Sequence, residues 1–212
     1  MNTDLNNNFF KDTSKGADII ELKRYIVEKI DESEIIRRYC RWLTKTPLSK
    51  NGLDYTGELI QQRELGKNYS ITKEVKEEQG LSHKKILIPY AFSDELVTEE
   101  QLFIFVYPYS NGFNGTMSNN SFSVDIMCPL RYNEINPYGD ERIYKILYEI
   151  INIFDGKSVE EEKWVERVGN VRFDVKGYCF PYRLTKTKNM MVYPLKINVK
   201  SSNIRLYDRR VK

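Results

Sequence analysis

Apolar residues begin to recur at helical spacing shortly after residue 16. They fall three to four positions apart, which places them on one stripe of a helix: Ile19, Leu22, Ile26 and Ile30. In the segment DESE, Asp31 offers a capping residue with Glu34 three positions on, which indicates a second helix start. Pro47 ends the apolar pattern that follows. We expect one kinked helix, or two, over about residues 18–45.

Three β-strands are expected next. A short apolar run, KILIPYAF, begins at Lys85, and QLFIFVYPY at 101–109 is apolar at successive positions, which is typical of a strand covered on both faces. SFSVDIMC at 121–128 alternates apolar and polar residues, as a half-exposed strand does. The link at 110–120 is rich in Gly, Asn and Ser and too long for a tight hairpin, so we expect it to project as a loop.

The strongest helical pattern lies over 140–155. Gly139 and Asp140 mark its start, and Asp155 and Gly156 mark its end. Its apolar face consists of Ile143, Ile146, Leu147, Ile150, Ile151 and Phe154. Two further strands are predicted at 171–180 and 191–200.

The order of these elements predicts an α+β fold. We expect a mixed, mainly antiparallel sheet of about four to five strands, packed by the N-terminal helix and by the amphipathic helix 140–155. The residues expected to be buried together are Phe103, Phe105, Val124, Ile126, Ile143, Leu147 and Ile150.

Five segments follow from the changes in composition. Residues 1–16 are rich in Asn and form an N-terminal arm, and residues 17–45 form the helical segment. Residues 46–83 form a polar connector or flap, since nothing there is expected to bury much surface. Residues 84–200 form the α+β core, and residues 201–212 form a basic C-terminal tail.

The overall charge is nearly balanced, at 33 basic against 30 acidic residues. This balance lacks the basic excess of a nucleic-acid-binding domain. The tail is locally basic, with Arg205, Arg209, Arg210 and Lys212 against Asp208. Such a tail can contact DNA or an acidic partner, or be a solvated terminus. Fifteen tyrosines against two tryptophans suit half-buried surfaces and interfaces, and equally suit strands.

Cysteine usage and the N-terminus indicate a reduced compartment. Cys40, Cys128 and Cys179 are odd in number and far apart, so we expect buried thiols rather than a disulfide framework. The first residues lack the apolar region of a signal peptide, and no apolar run approaches the roughly 20 residues of a membrane helix. The expectation is a protein made and kept in a cytoplasm.

Candidate chemistry is sparse. The single histidine, His83, lies beside lysines in the polar connector, and no Cys/His cluster offers zinc ligands. No glycine-rich phosphate-binding motif occurs, so we expect no cofactor and no metal. One alternative concerns Asp174 and Lys176, which match the D-x-K half of the restriction-type nuclease pattern, in which a carboxylate holds Mg²⁺. A second carboxylate would come from Asp155 or Glu166, whereas charges on the solvent face of a strand explain the pattern without function.

The arrangement as a whole resembles the tail terminator and neck (head-to-tail connector) proteins of tailed bacteriophages. The resemblance covers roughly residues 35–45 and 84–200. It rests on the segments IIRRYCRWL, ILIPYAF, QLFIFVYPY, SFSVDIMCPL, ERIYKILYEIINIFDG and PLKINVK. The 46–83 insertion and the basic tail depart from the family's pattern, which leaves open whether the chain is a terminator or another connector ring.

The resemblance implies a small structural virion subunit without catalytic residues. Such a subunit forms a closed ring, hexameric or larger, that contacts neighbouring connector or tail proteins and is assembled in the host cytoplasm. The residues we expect at its interfaces are Tyr107, Tyr109, Phe113, Met117, Arg205, Tyr207, Arg209 and Arg210. Contact with DNA is possible but is not expected to be specific. The alternatives are a Mg²⁺-dependent nuclease using Asp174 and Lys176, and a small non-catalytic binding adaptor.

Overall fold

The computed structural model describes the two N-terminal helices, most of the sheet and the helices packed on it. The described residues are 19–41, 43, 45, 47–48, 71–72, 75–76, 82–83, 85–91, 101–114, 117–136, 138–176, 182–184 and 189–202. Only the backbone is described at 75–76, 82–83, 111–114, 117–118, 182–184 and 201–202.

The N-terminal helical segment is two helices, α1 (Ile19–Glu32) and α2 (Glu34–Arg41). The break between them is Ser33, whose Oγ accepts a hydrogen bond of 3.3 Å from the backbone N–H of Ile36. Ser33 therefore caps α2, and the expectation that Asp31 is the cap is wrong. The Asp31 carboxylate instead accepts a 2.7 Å hydrogen bond from the backbone N–H of Ile71.

The remaining elements range from two-residue strands to strands of 13 residues. Two small strands, β1 (Val75–Lys76) and β2 (Ser82–His83), pair with each other within the predicted connector. The other elements are β3 (Leu87–Ile88), β4 (Phe103–Asn114), β5 (Met117–Pro129), α3 (Leu130–Asn133), α4 (Arg142–Phe154), α5 (Glu162–Val168), β6 (Val171–Lys176), β7 (Tyr182–Leu184) and β8 (Met190–Ser202).

The main sheet has the strand order β3-β4-β5-β8-β6, and β7 also pairs with β8. Among the strand pairs that the structure describes, β3–β4 alone is parallel, so the sheet is mixed and mainly antiparallel. The α+β prediction is confirmed.

One residue of the predicted polar connector, Ile71, is fully buried. Its carbonyl oxygen accepts hydrogen bonds from the backbone N–H groups of Ile86 and Leu87. At this point the expectation that the connector buries little surface is wrong.

The predicted loop at 110–120 is part of a long β-hairpin. Strands β4 and β5 pair down to Asn114 opposite Met117, with one irregularity between Pro108 and Ser110. The same stretch of β5 pairs with β8 as far as Met117 opposite Ser202. Asn, Ser and Gly are poor strand formers, and here the backbone ladders override that preference. The expectation of a projecting loop is wrong.

The sheet has two faces with different neighbours. On the helix face, Ile104, Val124 and Leu195 join one core with buried residues of α1, α2, α4 and α5. On the opposite face, which we call the far face, Phe103 and Phe105 pack in a second, smaller cluster with Ile88, Met127, Met190 and Val192. All seven predicted core residues are buried. The expectation that they pack together is wrong for Phe103 and Phe105, because successive residues of a strand point to opposite faces.

The outer edge of β6 is covered by the segment that follows α4. The backbone N–H of Gly156 donates to the carbonyl oxygen of Phe173 at 3.1 Å, and the N–H of Phe173 donates to that of Lys157 at 2.9 Å. Gly156 has a φ of +69°, a conformation that favours glycine, so the end predicted for α4 is confirmed. The covered edge offers few free backbone groups for pairing with another chain. Among the described residues, no helix is both long and apolar enough to cross a bilayer.

Candidate interface on the far face of the sheet

Two predicted interface residues, Tyr107 and Tyr109, lie where β4 deviates from regular pairing. The hydroxyl of Tyr107 donates a 2.7 Å hydrogen bond to Oδ2 of Asp125, and Oγ of Ser123 donates to Oδ1 at 2.7 Å. Asp125 is only 6% exposed, and a buried carboxylate needs hydrogen-bond partners, which these two hydroxyl groups provide. The hydroxyl of Tyr107 is therefore used in a hydrogen bond within the subunit.

Tyr109 is different, because its side chain is 57% exposed. The ammonium nitrogen of Lys196 lies 3.8 Å from the centroid of the Tyr109 ring, which is a cation–π contact. The pair places a positive charge and an aromatic ring at the surface of the far face. Of the two tyrosines, Tyr109 is the one available to a partner.

The other predicted interface residues are located in part or not at all. Phe113 lies in β4 and Met117 in β5, where the structure describes only the backbone. Arg205, Tyr207, Arg209 and Arg210 lie outside the described residues, so their role at an interface stays a prediction.

Four cations line the far face beyond Tyr109. The strand register sets Arg172 directly opposite Lys200, and Lys176 directly opposite Lys196. We call these four residues the basic end. Like charges directly opposite one another destabilise a sheet. Arg172 and Lys200 are exposed, and within the described part of the chain neither forms a salt bridge. Sequence reasoning missed the basic end because it exists only in the register between β6 and β8.

One carboxylate interrupts the basic end. Asp174 lies opposite Asn198, between the two rows of cations, and its Oδ2 is 3.8 Å from Nζ of Lys176. Both side chains are partly exposed, so the pair contributes little to stability.

The nuclease hypothesis requires further carboxylates beside Asp174. Oδ1 of Asp155 accepts a 3.0 Å hydrogen bond from the backbone N–H of Val175, and Glu166 is exposed on α5. In the part of the chain that the structure describes, no group of three or more His, Cys, Asp or Glu side chains is arranged to hold a metal ion. Metal-dependent cleavage stays an alternative to be tested by assay.

The two cysteines that the structure describes lie in the interior. Cys40 and Cys128 are free and buried, as expected. Burial raises the pKa of Cys128 to about 12 and also raises the pKa of Cys40, so both are neutral thiols at physiological pH. Cys179 and the side chain of His83 lie outside the described residues.

A second charged surface surrounds the contact between α1 and α5. Carboxylates of α1, of α5 and of the segment before α5 lie there beside the cations Lys29, Lys163 and Arg167, and Glu21 of α1 also contacts Arg167. We call six of these carboxylates the acidic helix patch: Glu28, Glu32, Glu160, Glu161, Glu162 and Glu166. The ammonium of Lys163 lies 2.6 Å from Oε1 of Glu28, and Lys29 contacts Glu161. Among the described residues, Glu160, Glu162 and Glu166 are exposed and form no salt bridge.

Comparison with known families gives one match. The model of the YomW family matches residues 41–187, which is about two thirds of the chain. This chain belongs to the YomW family. The name YomW is that of a phage-derived protein of an SPbeta-like prophage, which agrees with a phage origin but does not denote a tail terminator. No curated protein matches the sequence. Of the basic end, Arg172 and Lys176 lie within the segment matched to the YomW family, whereas Lys196 and Lys200 follow it.

Proposed function

We propose that this protein is a structural virion protein that forms a ring, either as a tail terminator or as another neck component between phage head and tail. Membership of the YomW family supports a phage context. The observation that carries the proposal is the far face, where Arg172 opposes Lys200 and Lys176 opposes Lys196 across β6 and β8. A subunit gains no stability from such rows by itself, whereas a partner of opposite charge offsets the repulsion.

The proposed ring is a closed assembly of identical subunits. Contacts between unlike surfaces of identical subunits generate closed rings when the rotation between them closes. The sheet supports such a contact mechanically, because β5 and β8 pair over their whole length in a continuous ladder. A long, paired hairpin holds its exposed residues in fixed positions, and this reduces the entropy lost on association.

The proposed role is non-catalytic and lies in the virion, with assembly in the host cytoplasm. The small monomeric adaptor differs from it in oligomeric state. The nuclease differs from it in chemistry.

Solution mass and particle composition test the proposal. Native mass spectrometry and negative-stain microscopy of the purified protein should show closed rings of six or more subunits, formed alone at high concentration or beside a neighbouring connector protein. Mass spectrometry of purified phage particles should detect the chain as a stoichiometric component. A protein that stays monomeric under both conditions and is absent from particles contradicts the proposal.

A further inference from the structure

We propose that the basic end of one copy contacts the acidic helix patch of the next copy, head to tail. This inference rests on the proposed ring and specifies its contact surfaces. Both surfaces belong to the same chain, and they have charges of opposite sign.

The basic end has an uncompensated positive charge. Its four cations surround one carboxylate, that of Asp174. Lys196 is held over the ring of Tyr109, and Lys176 is paired loosely with Asp174. Arg172 and Lys200, at the outer row, are exposed, so they are the cations most accessible to a second molecule.

The acidic helix patch has more carboxylates than cations, and its neighbour Arg167 contacts Glu21, a further carboxylate of α1. Its inner carboxylates are occupied, since Glu28 accepts hydrogen bonds from Lys163 at 2.6 Å and from Nε1 of Trp164 at 3.3 Å. Its outer carboxylates, on Glu160, Glu162 and Glu166, are exposed and form no salt bridge with the described residues. The outer carboxylates therefore match the outer cations Arg172 and Lys200 in accessibility.

Ser158, two residues before Glu160, pairs with Arg172 at the edge of β6, but no described salt bridge joins the two surfaces within one subunit. Helices α1 and α5 belong to the core on the helix face, since Tyr25 of α1 contacts Trp164 of α5 and stacks on Phe173 of β6 at 5.4 Å. Arg172 and Lys176 alternate with Phe173 along β6 and so project from the far face. Because the exposed charges of the two surfaces form no described salt bridge with each other in the subunit, they are available for a heterologous contact between copies.

A second copy fits the basic end better than a nucleic acid does. The basic end has four cations, and the chain as a whole has 33 basic against 30 acidic residues, which is not the basic excess of a nucleic-acid-binding protein. The net charge of +3 includes the carboxylates of the acidic helix patch as well as the cations of the basic end. A chain with both surfaces is suited to self-association, in which opposed potentials meet.

Charge reversal with complementation tests the contact. One variant combines Arg172→Glu with Lys200→Glu, and the other combines Glu160→Lys with Glu162→Lys. Each variant alone presents like charges at the contact, so the concentration needed for half-assembly should rise roughly 100-fold. An equimolar mixture restores opposite charges at every contact, so rings of alternating variants should form at the wild-type concentration. Native mass spectrometry identifies them by the mass difference between the variants.

Matched controls separate charge from folding. The double variant Lys85→Glu with Glu134→Lys reverses two exposed charges outside both surfaces and should assemble as the wild type does. Thermal unfolding of all variants shows whether each one folds. A variant that does not fold is replaced by the corresponding Gln substitutions, which should weaken assembly without reversing the charge.

The outcomes distinguish this contact from the ring itself. If wild type and both reversed variants form equal rings, the head-to-tail contact is wrong and the proposed ring stands. If each variant alone fails to assemble but the mixture does not recover, the two surfaces do not contact each other. If wild type binds a DNA oligonucleotide at physiological salt, and reversal of the basic end abolishes only that binding, the partner is a nucleic acid. A wild type that forms no ring overturns the proposed function as well.

Discussion

The guanidinium Nη1 of Arg142 donates a 2.7 Å hydrogen bond to the backbone carbonyl oxygen of Tyr39. Its Nε donates to the carbonyl oxygen of Tyr132 at 2.9 Å, and the side chain is completely buried. Tyr39 lies in the last turn of α2 and Tyr132 in the short helix α3. Carbonyl groups at helix C-termini lack intrahelical donors and have a partial negative charge. One buried cation at the start of α4 thus joins the ends of two other helices.

Replacing Arg142 with Met should destabilise the fold strongly. The change removes both donated hydrogen bonds, and a buried carbonyl that loses its donor costs about 1–3 kcal/mol. Arg142→Lys should recover only part of the loss, because an ammonium lacks the planar fork that reaches both carbonyls. Urea unfolding measures the difference, with the exposed Lys157→Met as the control. A free energy of unfolding for Arg142→Met within about 0.5 kcal/mol of wild type would contradict this role.

The two faces of the sheet should respond independently to mutation. Leu147→Ala, in the helix-face core, should cost about 2–5 kcal/mol, and Phe105→Ala, in the far-face cluster, about 3–5 kcal/mol. Because the sheet separates the two residues, the double variant should equal their sum within about 0.5 kcal/mol. Tyr148→Ala, which removes an exposed ring beside Leu147, is the control and should change little. An unchanged melting temperature for Leu147→Ala would contradict the packing of α4 on the sheet.

Two residues that contact each other within one core provide the positive control for this test of additivity. The rings of Tyr25 and Phe173 stack with their centroids 5.4 Å apart. The double variant Tyr25→Leu with Phe173→Leu should therefore deviate from additivity by about 0.5–1.5 kcal/mol. Coupling between Leu147 and Phe105 as large as this would show that the two clusters are not separate.

Elements with local signals were predictable from the sequence. The helix expected over 140–155 is α4, Arg142–Phe154, because its apolar spacing and the glycine at its end act within a few residues. The strand expected at 191–200 is β8, Met190–Ser202. Helix α5 was missed, because its seven residues have few apolar positions and only Trp164 and Val168 are buried. Gly169, directly after Val168, is the sequence signal for the end of this helix, and its φ in the structure is +74°.

Features that depend on distant pairing were not predictable. A strand that is apolar at successive positions, such as β4, indicates two covered faces but not which residues meet the helices. That assignment depends on the pairing of β4 with β5 and of β5 with β8. The basic end depends on the register of β6 against β8, in which Arg172 meets Lys200. The sequence shows alternating lysines in β8, but it does not show which residues of β6 lie opposite them.

The purified protein should leave DNA intact in the presence of Mg²⁺ or Mn²⁺. Asp174 is paired with Lys176, and the described residues offer no set of three metal-ligating groups around it. Incubation with linear and supercoiled DNA, followed by gel electrophoresis, checks this expectation. The informative control is Asp174→Ala, since contaminating nuclease activity would be the same in both preparations. Metal-dependent cleavage that Asp174→Ala abolishes would establish the nuclease alternative.

Acidification should weaken the contact between α1 and the segment before α5. A hydrogen bond from Lys29 lowers the pKa of Glu161 below its ordinary value of 4.5. The unfolded chain then binds more protons in this range, so the stabilisation is complete above pH 4.5 and is lost as the pH falls through the lowered pKa. Burial alone would lower the pKa of Lys29, but hydrogen bonds to Glu161 and Glu32 raise it from 10.5 to about 12. That contribution is complete below pH 10.5 and is lost as the pH rises toward 12.

Glu161→Gln should therefore flatten both limbs of the curve of unfolding free energy against pH. Glu162→Gln is the matched control, because Glu162 is exposed and forms no salt bridge with the described residues. Urea unfolding between pH 3 and pH 11 provides the curves, with pH limits set roughly by the ordinary pKa values of the two groups. Equal curves for Glu161→Gln and wild type would show that the pair with Lys29 does not stabilise the fold.

Deleting the tail and shortening the hairpin should affect folding differently. Residues 203–212 follow the last pair that the structure describes in the sheet, Ser202 opposite Met117, and we expect their removal to leave the free energy of unfolding unchanged. Removing 111–119 deletes paired backbone from β4 and β5 and exposes the end of β8, so this deletion should lower stability. The tail has four cations against one carboxylate, that of Asp208, and we expect its loss to weaken association with an acidic neighbouring protein. Urea unfolding and native mass spectrometry of both deletions separate these effects. If assembly survives both deletions, the contacts between subunits lie on the sheet and helices alone, and the interface roles predicted for Arg205, Arg209 and Arg210 are wrong.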